Sequence, residues 1–455
     1  MTRTRLPESV VGDAYTSQFA WQVLSELVDV GPRMAGQEGE RRGAEVIRGA
    51  FEEAGLREVR IEEFEIPGWW RGESSLELET DPRDEWTRQH EILALPGSPS
   101  GSVAGDLVDV GYGSDAEFDE VDVDGKIAMV SSKSPEEHDR WLHRMEKYAS
   151  ACEGGAVGFV FRNHVEGCLP PTGEVGYHAR PGPIPAVGVS REVGDRLLRR
   201  CARGSVSVRL DVDCRNDPAT SRNVVGVLGP DPAEAAEGGE VLVTAHVDSH
   251  DIAEGAMDNG AGCALIADVG RLLARMEDDL ETRIRFVTFG AEEIGLYGAY
   301  HHANRTDLEN VKCVLNVDGA GRSRNLRVGT NGFGGLETAF REVTDAFDVP
   351  LEAGETVSPH GDQWAFVERG VPSAFVSSTS GDATGRGWGH THADTLDKLD
   401  SRDLRDLAVL VAEGVLAVSN PDFDLGRRSP ESIRDELDDG YVRELKVGGR
   451  WHYDG

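Results

Sequence analysis

Residues 241–250 read VLVTAHVDSH. The opening run is apolar apart from Thr244, and it carries no charge until Asp248. Such a run predicts a strand covered on both faces, as the central strands of a parallel sheet are. The strand then delivers His246 and Asp248, two residues apart. Side chains at i and i+2 of a strand share a side. A neutral imidazole can ligate a metal while a nearby carboxylate orients its ring. A polar turn after a buried strand would carry the same two residues.

The stretches on either side repeat the pattern. Strand-like runs stand at 223–228 (NVVGVL), 282–290 (TRIRFVTFG), 311–319 (VKCVLNVDG), 325–330 (NLRVGT) and 371–378 (VPSAFVSS). Helical periodicity fills 259–276, 293–304, 334–347, 362–369 and 401–419. Alternating strand and helix predict an α/β fold, a largely parallel sheet with helices on both faces. From about 92 to 212 the texture differs. Short apolar runs (GDLVDVG, GKIAMVSS, GAVGFVFRN, IPAVGVS, VSVRLDV) alternate with turns, which predicts a compact β-rich module. The Pro/Gly/Ser cluster LPGSPSGS at 95–102 marks its boundary. Further upstream, 38–56 places Ala44, Val46, Ile47, Ala50, Phe51 and Ala54 at helical spacing with Gly55 at the C-cap, and 57–66 alternates as a strand. The expected division is 1–91, an inserted module at 92–214, a main domain at 215–425 and an acidic extension at 426–455.

Further polar residues collect where apolar runs end. Asp258, in GAMDNGAG, precedes an amphipathic helix and suits either an N-cap or a metal bridge. Glu292 and Glu293 follow a buried strand directly. Two carboxylates there are costly unless something positive compensates them. Asp318 ends another strand, and WGHTHADT supplies His390, His392 and Asp394. Open α/β sheets bind ligands beyond the carboxyl ends of their strands. Histidine with carboxylates suits a divalent cation such as zinc.

The ordered set AHVDS, GAMDNGAG, FGAEEIGLYGA, NVDGAG and GHTHADT resembles the M28 family of co-catalytic zinc exopeptidases. The stretch 31–56 is similar to that family's opening, and 92–212 resembles a protease-associated (PA) domain. The resemblance implies a three-layer α/β/α sandwich with a mixed, mostly parallel sheet and an inserted β-rich PA domain. It implies two zinc ions, with Co²⁺ or Mn²⁺ as possible substitutes, and hydrolysis of the N-terminal bond of a peptide. Asp258 would bridge the ions, His246 and Asp318 would complete one site, and Glu293 and His390 the other. Glu292 would be the general base that activates the attacking water, with Asp248 supporting His246 and Asp394 supporting His390. His390, the residue before Thr391, is the family position, with His392 the alternative. One departure is Gln363, after Asp362, where relatives often carry His; His360 stands close by in the chain. A carboxypeptidase or dipeptidase on the same scaffold is the alternative, with Arg322, Arg324 and Arg327 as candidate readers of a substrate carboxylate. A non-catalytic binding homologue is the remote third reading.

Composition bounds the rest. The 455 residues carry 47 Lys+Arg and 82 Asp+Glu, a formal charge of −35. That balance argues against nucleic acid and anionic membrane as partners. An acidic excess with only 6 lysines resembles the cytoplasmic proteins of haloarchaea, where molar salt cuts the Debye length to about 3 Å and screens the coat. No secretory h-region or 18-residue apolar stretch is present, so a high-salt cytosol is the expected compartment. A peptide substrate is the expected partner, with self-association open. The six cysteines form no CxxC, and buried free thiols are expected. HExxH and GxSxG are absent, which excludes a thermolysin-like site and a serine-hydrolase elbow. His301 and His302 are expected to face solvent.

Overall fold

The computed structural model describes residues 5–136, 138, 140–231, 239–379 and 387–453. The ends of the expected first and last segments, 1–4 and 454–455, lie outside the described residues. The chain forms two compact units. One comprises Met1–Ile66, Thr220–Gly389 and Asp394–Leu437; the other comprises Pro67–Ala219, His390–Ala393 and Asp438–Gly455.

The first unit is built on a mixed sheet. Its strands run in the spatial order Leu351–Gly354, Asn325–Gly329, Ser373–Thr379, Val311–Val317, Glu240–His246, Ile284–Phe289, and the C-terminal part of Ser207–Leu228. The three central strands, 311–317, 240–246 and 284–289, are parallel to one another, and 373–379 is parallel to 311–317. The strands at 224–228 and 325–329 join antiparallel. This is the mixed, mostly parallel sheet expected. The central strands are buried along nearly their whole length, which explains their uninterrupted apolar runs.

Helices cover both faces, as the strand Ile284–Phe289 shows by alternation. Phe286 meets Phe51 of helix Glu38–Glu53, with ring centroids 6.3 Å apart. Phe289, on the opposite face, packs near Phe366 of Trp364–Val367 and His302 of Tyr297–Ala303. His302 is therefore buried, at 4 % exposure, with its Nδ1 3.8 Å from Glu62. The expectation that it faces solvent fails because its partners are brought in by the sheet, and nothing local announces them. His301 stacks on Phe64 at 4.6 Å.

Arg33 binds the loops at the sheet's carboxyl end. It is fully buried. Its Nε donates to the carbonyl of Val247, Nη1 to Glu254 and Nη2 to Gly255, at 2.7–2.8 Å. Its backbone N–H donates to the Ser249 hydroxyl at 3.1 Å. One planar guanidinium thus pins the segment after His246 to the segment before Asp258, using the several fixed donors that only arginine offers.

Strands also build the second unit. Strand Gly101–Asp109 lies antiparallel to residues 207–212 and parallel to Ile127–Ser131; Gly158–Arg162, Ala186–Val189 and Ile92–Ala94 follow in order. Its core gathers Leu95, Val130, Met145, Tyr148, Phe159 and Ala186. Trp69 is buried in this unit, with its indole N–H 3.3 Å from the carbonyl of Ser98. The polar tail is more ordered than its composition suggests. Ser429 caps helix Pro430–Glu436, and Asp438 caps helix Asp439–Gly448, which packs on helix Arg144–Glu153. Arg140, Glu146 and Asp438 join in ion pairs at 2.6–2.7 Å. All six cysteines are free thiols. No helix among the described residues is long and apolar enough to cross a membrane.

Replacing Arg33 with Met leaves several buried carbonyls without donors. Loss of stability by about 3 kcal/mol or more is expected, from unsatisfied acceptors at ~1–3 kcal/mol each. Urea unfolding of the two proteins measures it; equal midpoints would show that Arg33 does not bind the loops together.

Candidate metal centre

Three parallel strands end side by side, and their register sets the site. Phe289 pairs with His246, and Asn316 with Thr244, so the residues that follow each strand emerge on one edge. His246 is 1 % exposed. Its Nδ1 lies 3.0 Å from the carbonyl oxygen of Asp248, which fixes the tautomer with the proton on Nδ1 and leaves Nε2 as the donor atom. That Nε2 stands 3.3 Å from Asp258 Oδ1 and 3.6 Å from Asp318 Oδ1. Two donors of one tetrahedral zinc ion, each at about 2.0–2.1 Å, stand about 3.3 Å apart. The three atoms are thus spaced as a cation's ligands could be. His246, Glu292 and Glu293 form a second group whose donor atoms lie within 4.8 Å of one another.

Asp258 is not the cap of the helix that follows. It lies in the turn Ala256–Gly260 with φ −120° and ψ 86°, ahead of helix Ala261–Ala274. Asn259 takes the structural role. Its side chain accepts from Gly262 N–H at 3.1 Å and donates to the carbonyl of Val317 at 2.9 Å. The residue beside Asp258 thus grips the residue beside Asp318. Asp394 also differs from expectation. Its two oxygens accept from the backbone N–H groups of Met257 (2.7 Å) and Asp258 (3.1 Å), so it holds the Asp258 turn.

Asp248 is fully buried, and its carboxylate accepts from the backbone N–H groups of Glu292 (3.0 Å) and Glu293 (3.1 Å). Its side chain is 3.6 Å from His246 Nδ1, so its carbonyl rather than its carboxylate makes the close contact to the imidazole. The Glu loop is drawn tight. Gly298 N–H donates to Gly290 O at 3.0 Å, and Ala291 and Leu296 take left-handed φ of 57° and 60°. A Cβ on Gly298 would stand 2.4 Å from the carbonyl oxygen of Gly290, so only glycine fits there.

Near this edge, Asp362 is fully buried, and neither carboxylate oxygen has a hydrogen-bond partner among the described residues. Gln363, the departure noted in the sequence, donates to the carbonyl of His360 at 2.6 Å and accepts from Asn316 at 3.2 Å. Asn316 in turn accepts from the Thr244 hydroxyl at 2.8 Å. Gln363 therefore braces the turn against two central strands. His250, which sequence reasoning passed over, is 5 % exposed, with Nε2 2.9 Å from Glu293 Oε2. Its spacing, two residues beyond Asp248 in HVDSH, is the signal that was available. His390 belongs to the second unit. It adopts φ 60°, and its Nδ1 lies 3.2 Å from the carbonyl of Thr172, while its own carbonyl accepts from Thr172 N–H at 2.9 Å. His392 Nε2 stands 2.9 Å from the carbonyl of Gln89 in the same unit.

The electrostatics ask for cations. Burial raises the carboxyl of Glu292 to about 8, opposed by His246 and reinforced by Asp318, Asp248 and Asp258. Burial, with Asp258 and Glu292 beside it, lifts Glu293 well above the ordinary carboxylate range. Burial and the Glu292 charge do the same to Asp362. Burial would push His246 down, but Glu292, Asp248, Asp258 and Asp318 outweigh it and raise the imidazole well above its ordinary value. Carboxylates crowded in this way repel one another, and a divalent cation reverses that logic. The arginines named as readers of a substrate carboxylate lie near acids or an aromatic ring. Arg327 pairs with Glu352 at 3.0 Å, Arg324 lies 3.9 Å from Asp406, and Arg322 packs over the Trp388 ring.

Removing the Asp394 carboxylate (Asp394→Ala) frees the Asp258 turn. Zinc affinity should fall about 10–100-fold, the usual cost of losing a group that orients a ligand. Competition with a chromophoric chelator reads this; unchanged affinity would show that Asp258 holds its place alone.

The chain is similar to several known proteins. Residues 223–415 match Peptidase family M28, and residues 103–197 match the PA domain. The chain is 27 % identical to Aminopeptidase YwaD of Bacillus subtilis over 93 % of this chain and 88 % of that protein. It is 25 % identical to Carboxypeptidase Q of Mus musculus over 90 % of this chain and 87 % of that one. A zinc aminopeptidase from Bacillus subtilis of known structure superposes with a TM-score of 0.67 at 25 % identity, covering 88 % of this chain and 94 % of that chain. The chain is thus a peptidase, similar to Peptidase family M28 over 223–415 and to the PA domain over 103–197.

Proposed function

We propose that the chain is a two-zinc aminopeptidase that hydrolyses the N-terminal bond of peptides, with Glu292 as general base. The observation that carries the reading is the spacing of His246 Nε2, Asp258 Oδ1 and Asp318 Oδ1, set beside the adjacent pair Glu292 and Glu293. In this reading His246 and Asp318 would hold one ion and Glu293 and His390 the other, with Asp258 as a ligand to each. When bound, zinc supplies Lewis-acid polarisation of the scissile carbonyl and acidifies water.

The protein's own groups do the rest. Glu292 takes a proton from the attacking water and passes it to the leaving amine, a task its raised carboxyl pKa suits. Asp248 fixes the backbone of both glutamates and, through its carbonyl, the tautomer of His246. The likeness to Aminopeptidase YwaD and to a zinc aminopeptidase of known structure supports the amino terminus as the group recognised. The domain division read from the sequence, with a PA insertion at 92–214, belongs to the same proposal, as does a halophilic cytosolic setting for the acidic coat.

Glu292→Gln should retain its zinc while kcat on aminoacyl anilides falls about 10²–10⁴-fold, the range for a lost acid–base group. Parallel loss of zinc would remove Glu292 from the base role. On the native enzyme, assayed in molar KCl, free-amine anilides should be cleaved and N-blocked ones spared; cleavage confined to N-blocked peptides with a free carboxyl end would make the protein a carboxypeptidase.

A further inference from the structure

We propose that His250 is a positioning residue that locks the carboxylate of Glu293, so that the segment 246–250 builds the metal centre at three successive alternate positions. The inference rests on Glu293 being a zinc ligand, as proposed above. His246, Asp248 and His250 stand at i, i+2 and i+4 of HVDSH. The first presents a donor nitrogen toward Asp258 and Asp318. The second holds the main chain of Glu293 through its backbone N–H. The third reaches the Glu293 side chain itself, Nε2 to Oε2, at 2.9 Å.

Distance separates a clamp from a ligand. Donors sharing a tetrahedral zinc stand about 3.3 Å apart, as His246 and Asp258 do, whereas 2.9 Å is the length of a charge-assisted N–H···O⁻ bond. The form of Glu293 that binds a cation is the carboxylate, which only accepts, so in that form the His250 Nε2 carries the proton that joins the two. With that nitrogen donating, it has no lone pair for a metal, and Oε2 is tethered while Oε1 remains on the same carboxylate. Both residues are at most 6 % exposed, so water competes little for the bond. The Glu293 backbone is therefore held by Asp248 and the tip of its side chain by His250. A ligand held in that way gives up less freedom on binding, which appears as affinity.

Three variants test this on the full-length protein: His250→Leu, which fills the buried space without a donor; His250→Gln, whose amide N–H can replace Nε2–H; and Glu293→Ala. Zinc stoichiometry and affinity are read by chelator competition, and the imidazole count per zinc by X-ray absorption. Glu293→Ala should lose one ion. His250→Leu should keep both sites but bind the weaker ion about 10–100-fold less tightly, and His250→Gln should recover most of that loss with an unchanged imidazole count. Native affinity in His250→Leu would overturn the proposal. So would a His250→Gln protein as weak as His250→Leu with one imidazole fewer, which would make His250 a ligand. Native zinc binding in Glu293→Ala would instead sink the underlying assignment of Glu293, a failure distinguishable from the other two.

Discussion

Buried negative charge at the carboxyl edge of the sheet is the constraint on which the rest of this structure depends. Asp248, Glu293 and Asp362 are nearly or fully buried, and Asp258, Glu292 and Asp318 are only partly exposed. Protein groups offset only part of this. The imidazole of His246 and the guanidinium of Arg33 are the nearby positive groups that bear on it, and Arg33 spends its donors on backbone carbonyls. Isolated carboxylates in such a place protonate or acquire a partner. A divalent metal has the matching charge and donor preference, and when bound it would also polarise a peptide carbonyl.

That constraint explains the labour spent on holding single side chains still. Asn259, Asp394, Asp248 and Gln363 touch no metal-facing atom in the proposed scheme, yet each ties a loop bearing one of the acids to a strand or turn. Asp258 is held by backbone contacts to Asp394 on one side and by Asn259 gripping the Asp318 strand on the other. Mutually repelling groups would otherwise spread apart. The scaffold opposes the repulsion with hydrogen bonds from rigid elements, the arrangement expected where function needs a preorganised charge cluster.

Much of this was legible in the sequence. Central strands announced themselves by uninterrupted apolar runs, and the acids announced themselves by standing where those runs stop. Periodicity located the helices 334–347 and 401–419 with their observed ends. Partners reached only through the fold were not legible. Arg33 lies more than two hundred residues from the loops it binds, Asp394 some 136 from Asp258, and Glu62 far from the His302 it meets. His250 was a different kind of omission. Its spacing lay in plain view, but a third polar residue after a strand carries no local mark distinguishing a clamp from a turn. The helices of the tail were not legible because short helices set by caps at Ser429 and Asp438 need little apolar periodicity.

The −35 formal charge thus comprises two populations, a solvated coat and a few acids whose counter-ions must be placed one by one. The account stands or falls on where those counter-ions sit. A crystal of the zinc-loaded protein, measured at the zinc absorption edge, locates them without reference to activity. Two anomalous peaks about 3.5–4 Å apart are expected, one between His246 and Asp318 and one beside Glu293, with Asp258 in contact with both. A single peak, or peaks out of reach of Asp258, would contradict the two-ion centre.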